Sequence, residues 1–237
     1  MNKKARLTPL VSAEMFVKEH FPDCDAALLA GSVTRGEATD TSDLDIVIFD
    51  QTVPAAYRES LIAYGWPIEV FVHSFDSYKH FFESDIKRAR PSLPRMVAEG
   101  MVIKDSDFLQ GIIEEAKRII EIGPAEWTEK EIEFKRYFIT DTLDDFIGSD
   151  NRAEEIFIAG TLAEQLQEFV LRTNKRWVGK SKWVVRELNR FDPVFTEQFV
   201  EAFSHYYNTG NKNKVTELAD LILEPFGGRL FDGFSIK

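Results

Sequence analysis

The first half of the chain combines short apolar runs, which are typical of buried strands, with stretches of helical spacing. Strands are predicted at Ala26–Ala30, Leu44–Phe49, residues 67–73 and Met101–Lys104. Thr8 and Pro9 read as an N-cap and a first helical residue, so a helix is predicted from there to about residue 19. Further helices are predicted at 75–90, in a short stretch after Pro91 and Pro94, and at 108–122.

Beyond Gly123-Pro124 the pattern changes and indicates no convincing strand. Helical spacing recurs at residues 129–147, 153–172, 182–191, 193–207 and 215–223. The sequence therefore predicts an α+β protein. A small mixed sheet with flanking helices would occupy residues 1–123, and an all-α helical bundle would occupy residues 124–237.

Composition narrows the classes of partner. The 237 residues carry a formal net charge of −11, which argues against a non-sequence-specific nucleic-acid binder and permits a cationic small molecule. No apolar run reaches the length of a membrane span, so no membrane partner is expected. The single cysteine, Cys24, excludes an internal disulfide and fits a reducing compartment, so we expect a cytoplasmic protein with this thiol buried or half-buried.

Two carboxylates open the second predicted strand. Asp43 and Asp45 are two residues apart, so in a strand they point to the same side, roughly 6.5–7 Å apart at the backbone. Glu69 lies between core-like residues in the next predicted strand, where an unpaired charge is expensive. If the two strands are neighbours, three carboxylates converge, and a hard cation such as Mg²⁺ would remove their repulsion. An Asx turn in solvent and an edge glutamate facing water are the alternatives.

The Gly31-Ser32 pair ends the first predicted strand and suggests a phosphate contact. A strand that ends there and turns into a short helix would expose backbone N–H groups to phosphate oxygens. Glycine would allow close approach of the phosphate, and the Ser32 hydroxyl would add a donor. Arg35 would add positive charge, and Gly36 would keep the turn tight. A Gly-Ser turn is common, so this pair alone indicates little.

Taken together, GSVTRGEATDTSDLDIVIF and the later PIEVFV closely resemble the DNA polymerase beta-type nucleotidyltransferase superfamily over residues 8–105. The resemblance implies a polymerase-beta-like first domain, two Mg²⁺ ions bound by Asp43 and Asp45, and Glu69 as the third carboxylate. It also implies a triphosphate grip at Gly31-Ser32. Arg35-Gly36 and the Ser42-Asp43 lead-in are most similar to the minimal and antibiotic-modifying branches, which makes Ser42 a candidate nucleotide contact.

The helical half contains two charge runs. Eight acidic residues and one basic residue lie between Asp141 and Glu168, and seven basic residues and one acidic residue lie between Arg172 and Arg190. Two solvated helix faces that pair with each other are one interpretation. The other is an acceptor pocket with a carboxylate base that takes a proton from the acceptor hydroxyl.

The segment TLDDFIGS, residues 142–149, weakly resembles the first helix of the second domain in kanamycin nucleotidyltransferase and its relatives. That resemblance makes Asp145 the candidate base, with Asp141, Asp144, Glu164 and Glu168 left open. It departs at Ser149, where the relatives have a lysine, and Lys180 or Lys182 would have to supply that charge.

The expected function is Mg²⁺-dependent transfer of a nucleoside monophosphate, AMP from ATP, onto a hydroxyl of a small molecule with release of pyrophosphate. An aminoglycoside-type antibiotic is the natural acceptor, since the acidic run would attract a cation. Adenylylation of a partner protein and a non-catalytic nucleotide-sensing module are the alternatives. The sequence leaves open which nucleotide base is bound and whether the protein forms a homodimer.

Overall fold

The computed structural model describes residues 6–236, which form two compact units. The first unit ends at Ile122 and the second begins at Gly123. None of the described helices is both long enough and apolar enough to cross a membrane.

A five-stranded mixed sheet forms the centre of the first unit. Its strands are β1 (Ala26–Ala30), β2 (Leu44–Phe49), β3 (Tyr57–Ala63), β4 (Trp66–His73) and β5 (Met101–Lys104), in the order β3-β4-β2-β1-β5. β2 and β4 are parallel, and the other neighbours are antiparallel. Four helices complete the described part of this unit: α1 (Pro9–His20), α2 (Ser77–Lys87), α3 (Ser92–Glu99) and α4 (Leu109–Ile122).

The two faces of this sheet bury separate cores. One face, with Leu44, Ile46 and Ile68, packs against Phe16 and other residues of α1. The opposite face, which includes Val47 and Phe49, packs against α2, α3 and α4. Because side chains alternate along a strand, Asp45 and Glu69 point to this second face. They lie at one end of the sheet, next to the apolar residues that the helices cover.

The sequence analysis missed strand β3, and this error has a physical reason. β3 is an edge strand with four consecutive exposed residues, Tyr57 to Ser60, so it lacks the apolar alternation of a half-buried strand. The hairpin to β4 turns at Tyr64 and Gly65, whose φ angles are +51° and +80°. Such a turn favours Asn-Gly or Asp-Gly, and Tyr-Gly carries no comparable signal.

The second unit contains five α-helices, and no strand occurs among its described residues, as the sequence predicts. These helices are α5 (Glu129–Gly148), α6 (Arg152–Thr173), α7 (Trp183–Phe191), α8 (Pro193–Thr209) and α9 (Asn213–Leu223). Thr128 and Glu131 form a reciprocal capping box that begins α5. The predicted α+β class, a small mixed sheet with flanking helices followed by a helical region, is confirmed.

Candidate metal and nucleotide site

Three carboxylates converge at one end of the sheet in the first unit. Asp45 of β2 is directly in register with Glu69 of the parallel strand β4, and Asp43 lies just before β2. Asp43, Asp45 and Glu69 each offer an oxygen within 4.8 Å of the others, and all three residues are partly buried. The convergence that the sequence predicts is therefore present in the fold, with Asp43 one residue outside the strand.

The electrostatics of this acidic cluster (Asp43, Asp45 and Glu69) favour a bound cation. Burial, followed by the charges of Asp43 and Glu69, raises the pKa of Asp45 to about 6. Arg58 and Arg35 oppose this rise without cancelling it. Carboxylate oxygens at this spacing are the donors that a hard divalent ion such as Mg²⁺ prefers, so the donor set fits such an ion.

Gly31 directly follows β1 and lies beside Asp45 of the acidic cluster. Its φ angle is +86°, and a Cβ atom added there would overlap the Asp45 carboxylate, whose Cγ would lie only 3.1 Å away. Glycine is therefore required both for the backbone conformation and for the close approach of the chain to Asp45. The structure therefore explains why glycine occupies position 31, independently of the phosphate contact that the sequence predicts.

The loop after Gly31 contains no helix, so the short helix expected there is wrong. Residues 32–36 form consecutive turns, and the Glu37 N–H donates to the Ser32 carbonyl at 3.0 Å. Ser42 holds this loop together, since its hydroxyl accepts from the backbone N–H of Thr39 at 2.8 Å and from the Ser32 hydroxyl at 3.2 Å. Serine and threonine close such loops through these local bonds instead of a helix.

The predicted phosphate contacts Arg35 and Gly36 lie in the same loop. The Arg35 guanidinium forms ion pairs with Glu37 at 3.1 Å and with Glu99 of α3 at 3.3 Å. It is nevertheless near enough to the acidic cluster to lower the pKa of Asp45. Gly36 is exposed, has a φ angle of +71° and has open space around it. A role of Arg35, Gly36 or Ser42 in nucleotide binding stays a prediction.

Sequence reasoning missed Arg58, an arginine that contacts the acidic cluster. Its Nη2 atom lies 2.5 Å from Glu69 Oε2, and its guanidinium lies over the Phe71 ring at 5.0 Å. The residue was overlooked because β3 was not predicted. The usable signal was an arginine in the polar segment between two strands that carry carboxylates.

The candidate bases of the second unit lie on α5 and α6. Asp141, Asp144 and Asp145 are exposed on α5, and Glu164 is exposed on α6. Asp144 pairs with Arg229 at 3.4 Å, and Glu168 pairs with Lys135 at 2.8 Å. These ion pairs make Asp144 and Glu168 weaker candidates, and Asp145 stays the predicted base.

Two comparisons by sequence, one with protein-family models and one with curated proteins, find no match. Among solved structures, the chain is similar to a crystal structure described as a nucleotidyltransferase-like protein from Exiguobacterium sibiricum 255-15. The two proteins share 12% sequence identity and a TM-score of 0.46, over 91% of this chain and 73% of the other. So low a score supports no transfer of function or of site residues from that protein to this chain.

Proposed function

We propose that the protein is a Mg²⁺-dependent nucleotidyltransferase that moves AMP from ATP onto a hydroxyl of a small molecule. The observation that carries this proposal is the convergence of Asp43, Asp45 and Glu69 within 4.8 Å at the end of two parallel neighbouring strands. Three like charges that are held together at the end of largely apolar strands favour a ligand that neutralises them.

The acidic cluster would hold up to two Mg²⁺ ions, which when bound neutralise phosphate charge and polarise the α-phosphate. Asp43, Asp45 and Glu69 supply the oxygen donors, and Gly31 keeps the chain close without blocking Asp45. The loop from Ser32 to Ser42 would contact the triphosphate through backbone N–H groups, with Arg35 contributing charge. Positioning and charge neutralisation are the main contributions that phosphoryl-type transfer asks of a protein.

The transfer itself is a single displacement at phosphorus. The acceptor oxygen forms a bond to the α-phosphorus, and the bond from that phosphorus to the bridging oxygen breaks, with its electron pair leaving on pyrophosphate. The acceptor proton passes to a carboxylate, for which we assign Asp145, exposed on α5. The exposed acidic residues of α5 favour a cationic acceptor such as an aminoglycoside-type antibiotic.

A pyrophosphate-release screen tests the function. Purified protein with Mg²⁺ is incubated with each nucleoside triphosphate and a panel of hydroxyl compounds that includes aminoglycosides. We expect release that requires both Mg²⁺ and an acceptor, with ATP the best donor. Asp76→Asn is the matched control, since Asp76 is exposed and its side chain forms no helix-capping bond. No release with any donor and acceptor, or full release by Asp45→Asn, would contradict the proposal.

The assigned base is tested separately. Asp145→Asn should lower the rate of transfer about a hundredfold, as expected for loss of a general base, while nucleotide affinity stays unchanged. Asp141→Asn, one helical turn earlier on α5, is the comparison variant. A larger loss in Asp141→Asn than in Asp145→Asn would reassign the base.

A further inference from the structure

Arg58 is placed beside the acidic cluster by the β3–β4 ladder. It is directly opposite Phe71 in the antiparallel register, while Ser60 is opposite Glu69. Side chains of paired residues share a face of the sheet, so Arg58 lies on the same face as Glu69 and reaches it diagonally across the ladder. The Phe71 ring below the guanidinium, at 5.0 Å, supports it in that position.

The contact between Arg58 and Glu69 is direct but accessible. The distance from Arg58 Nη2 to Glu69 Oε2 is 2.5 Å, and the side chains of Arg58 and Glu69 are 57% and 25% exposed. Arg35, the other arginine that acts on Asp45, is engaged by Glu37 and Glu99. Among the residues that the structure describes, Arg58 is therefore the cation found in direct ion-pair contact with a member of the cluster.

One Glu69 carboxylate cannot serve a guanidinium and a divalent cation equally well, because the two positive charges would share a single negative charge and repel each other at that short distance. A guanidinium also has a second suitable partner in such a site, since its planar fork of N–H donors matches phosphate oxygens. The exposed Arg58 side chain has room to exchange one partner for the other while it stays on the Phe71 ring.

We propose, on the basis of the function above, that Arg58 is an exchangeable counter-ion of the site. In the metal-free protein Arg58 neutralises Glu69. With a divalent cation bound, Arg58 releases Glu69 and pairs with the triphosphate of the nucleotide. Arg58 is thus both a competitor of the metal and a nucleotide-binding residue, and its removal should change the two affinities in opposite directions.

The first test measures Mn²⁺ binding without nucleotide, by electron paramagnetic resonance of the free ion. Arg58→Met should bind Mn²⁺ about three- to tenfold more tightly than the unmodified chain, because no guanidinium has to be displaced. Arg58→Lys, which keeps the charge, should bind close to the unmodified chain. Lys87→Met removes an exposed charge at the end of α2, and it should leave Mn²⁺ affinity unchanged.

The second test titrates the Mn²⁺ complex of α,β-methylene-ATP, which cannot release pyrophosphate, into the same variants by calorimetry. Arg58→Met should bind it about tenfold more weakly, and Arg58→Lys should fall between. If Arg58 had a purely structural role, Arg58→Met would weaken the binding of Mn²⁺ and of the nucleotide together. Tighter Mn²⁺ binding with weaker nucleotide binding is therefore the diagnostic result.

The exchange can also be observed directly. The Nε–Hε resonance of Arg58, assigned by its loss in Arg58→Lys, should shift when Mg²⁺ alone saturates the protein. A resonance unchanged at saturation, or an Arg58→Met variant that binds Mn²⁺ no more tightly, overturns the counter-ion role while the transferase proposal stands. If the unmodified chain binds no Mn²⁺ at all, both proposals fail.

Discussion

The first unit contains three partly buried carboxylates, whereas the second contains the buried Glu155, and the two units neutralise this negative charge to different extents. In the first unit, Asp43, Asp45 and Glu69 crowd together with Arg58 as the direct partner, and burial raises the pKa of Asp45 to about 6. In the second unit, the buried Glu155 is surrounded by donors, and its pKa is lowered, chiefly by the hydrogen bond from Lys212.

The environment of Glu155 is that of a structural ion pair. Lys212 Nζ lies at 2.9 Å from one oxygen, and Arg152 and the Tyr206 hydroxyl lie at 3.6 and 3.3 Å from the other. The charges are balanced by groups of the chain itself. The acidic cluster of the first unit is not balanced in this way, so we infer that its excess negative charge marks a place for a ligand.

Asp45→Asn gives the largest effect expected from this comparison. It removes a charged ligand from the centre of the acidic cluster, so transfer activity should fall at least a hundredfold, comparable with loss of a principal electrostatic group. Mn²⁺ binding, measured by electron paramagnetic resonance, should be lost with it. Activity without metal binding would separate the acidic cluster from catalysis and remove the main support for the proposed function.

The same variant should be more stable than the unmodified chain without metal. At pH 7.5 we expect a gain of about 1–2 kcal/mol in the free energy of unfolding, because one pKa unit corresponds to about 1.4 kcal/mol and nearby water screens part of it. Folding raises the pKa of Asp45 from its ordinary 3.8 to about 6. The stability that a protonated Asp45 gives the folded protein is therefore fully present below pH 3.8 and is lost as the pH rises through about 6. The gain should therefore disappear below pH 4.

Gly31→Ala tests whether the backbone must approach Asp45 closely. Its φ angle of +86° and the overlap of a new Cβ with the Asp45 carboxylate should together cost about 2–4 kcal/mol. Gly36→Ala is the matched control, since its φ angle is +71° but its surroundings are open, and it should cost only about 1 kcal/mol. Equal losses in urea unfolding would show that the close approach is unimportant.

The pH dependence of Mn²⁺ binding gives a smaller effect. A metal must displace the proton that Asp45 holds below pH 6, so the apparent dissociation constant should be about tenfold higher at pH 5 than at pH 7.5. Calorimetric titrations at the two pH values, with matched ionic strength, measure this ratio. A constant affinity over that interval would mean that Asp45 is not a ligand.

The sequence predicts the acidic cluster better than its neighbours. Asp43 and Asp45 are two residues apart at the beginning of β2, so their spacing along the chain is enough to predict that they lie close together. Glu69 is found by its apolar flanks. Arg58 could not be found in the same way, because its position depends on an edge strand whose hairpin lacks a turn signal.

The second unit shows the same limit. Helical spacing predicts α5 to α9, yet Lys212 and Glu155 meet only because separate helices pack together. Likewise, no local pattern shows that Ser42 holds the loop that contains Ser32. Periodicity therefore predicts elements and local pairs, whereas ion pairs between distant elements follow from packing.

Glu155→Gln is the smallest expected effect and completes the comparison. It should lower the stability of the second unit at pH 7.5, because Lys212 and Arg152 would keep their charges without a carboxylate. A lowered pKa means that the stabilisation is present above the ordinary value of 4.5 and disappears as pH falls through the folded pKa.

Asp45→Asn and Glu155→Gln should thus change the free energy of unfolding with opposite signs at pH 7.5, and both should approach the stability of the unmodified chain in acid. Calorimetric unfolding of both variants, from pH 7.5 down to the lowest pH at which the unmodified chain stays folded, measures this pair of trends. Two losses of stability would mean that the acidic cluster is a structural network like that of Glu155.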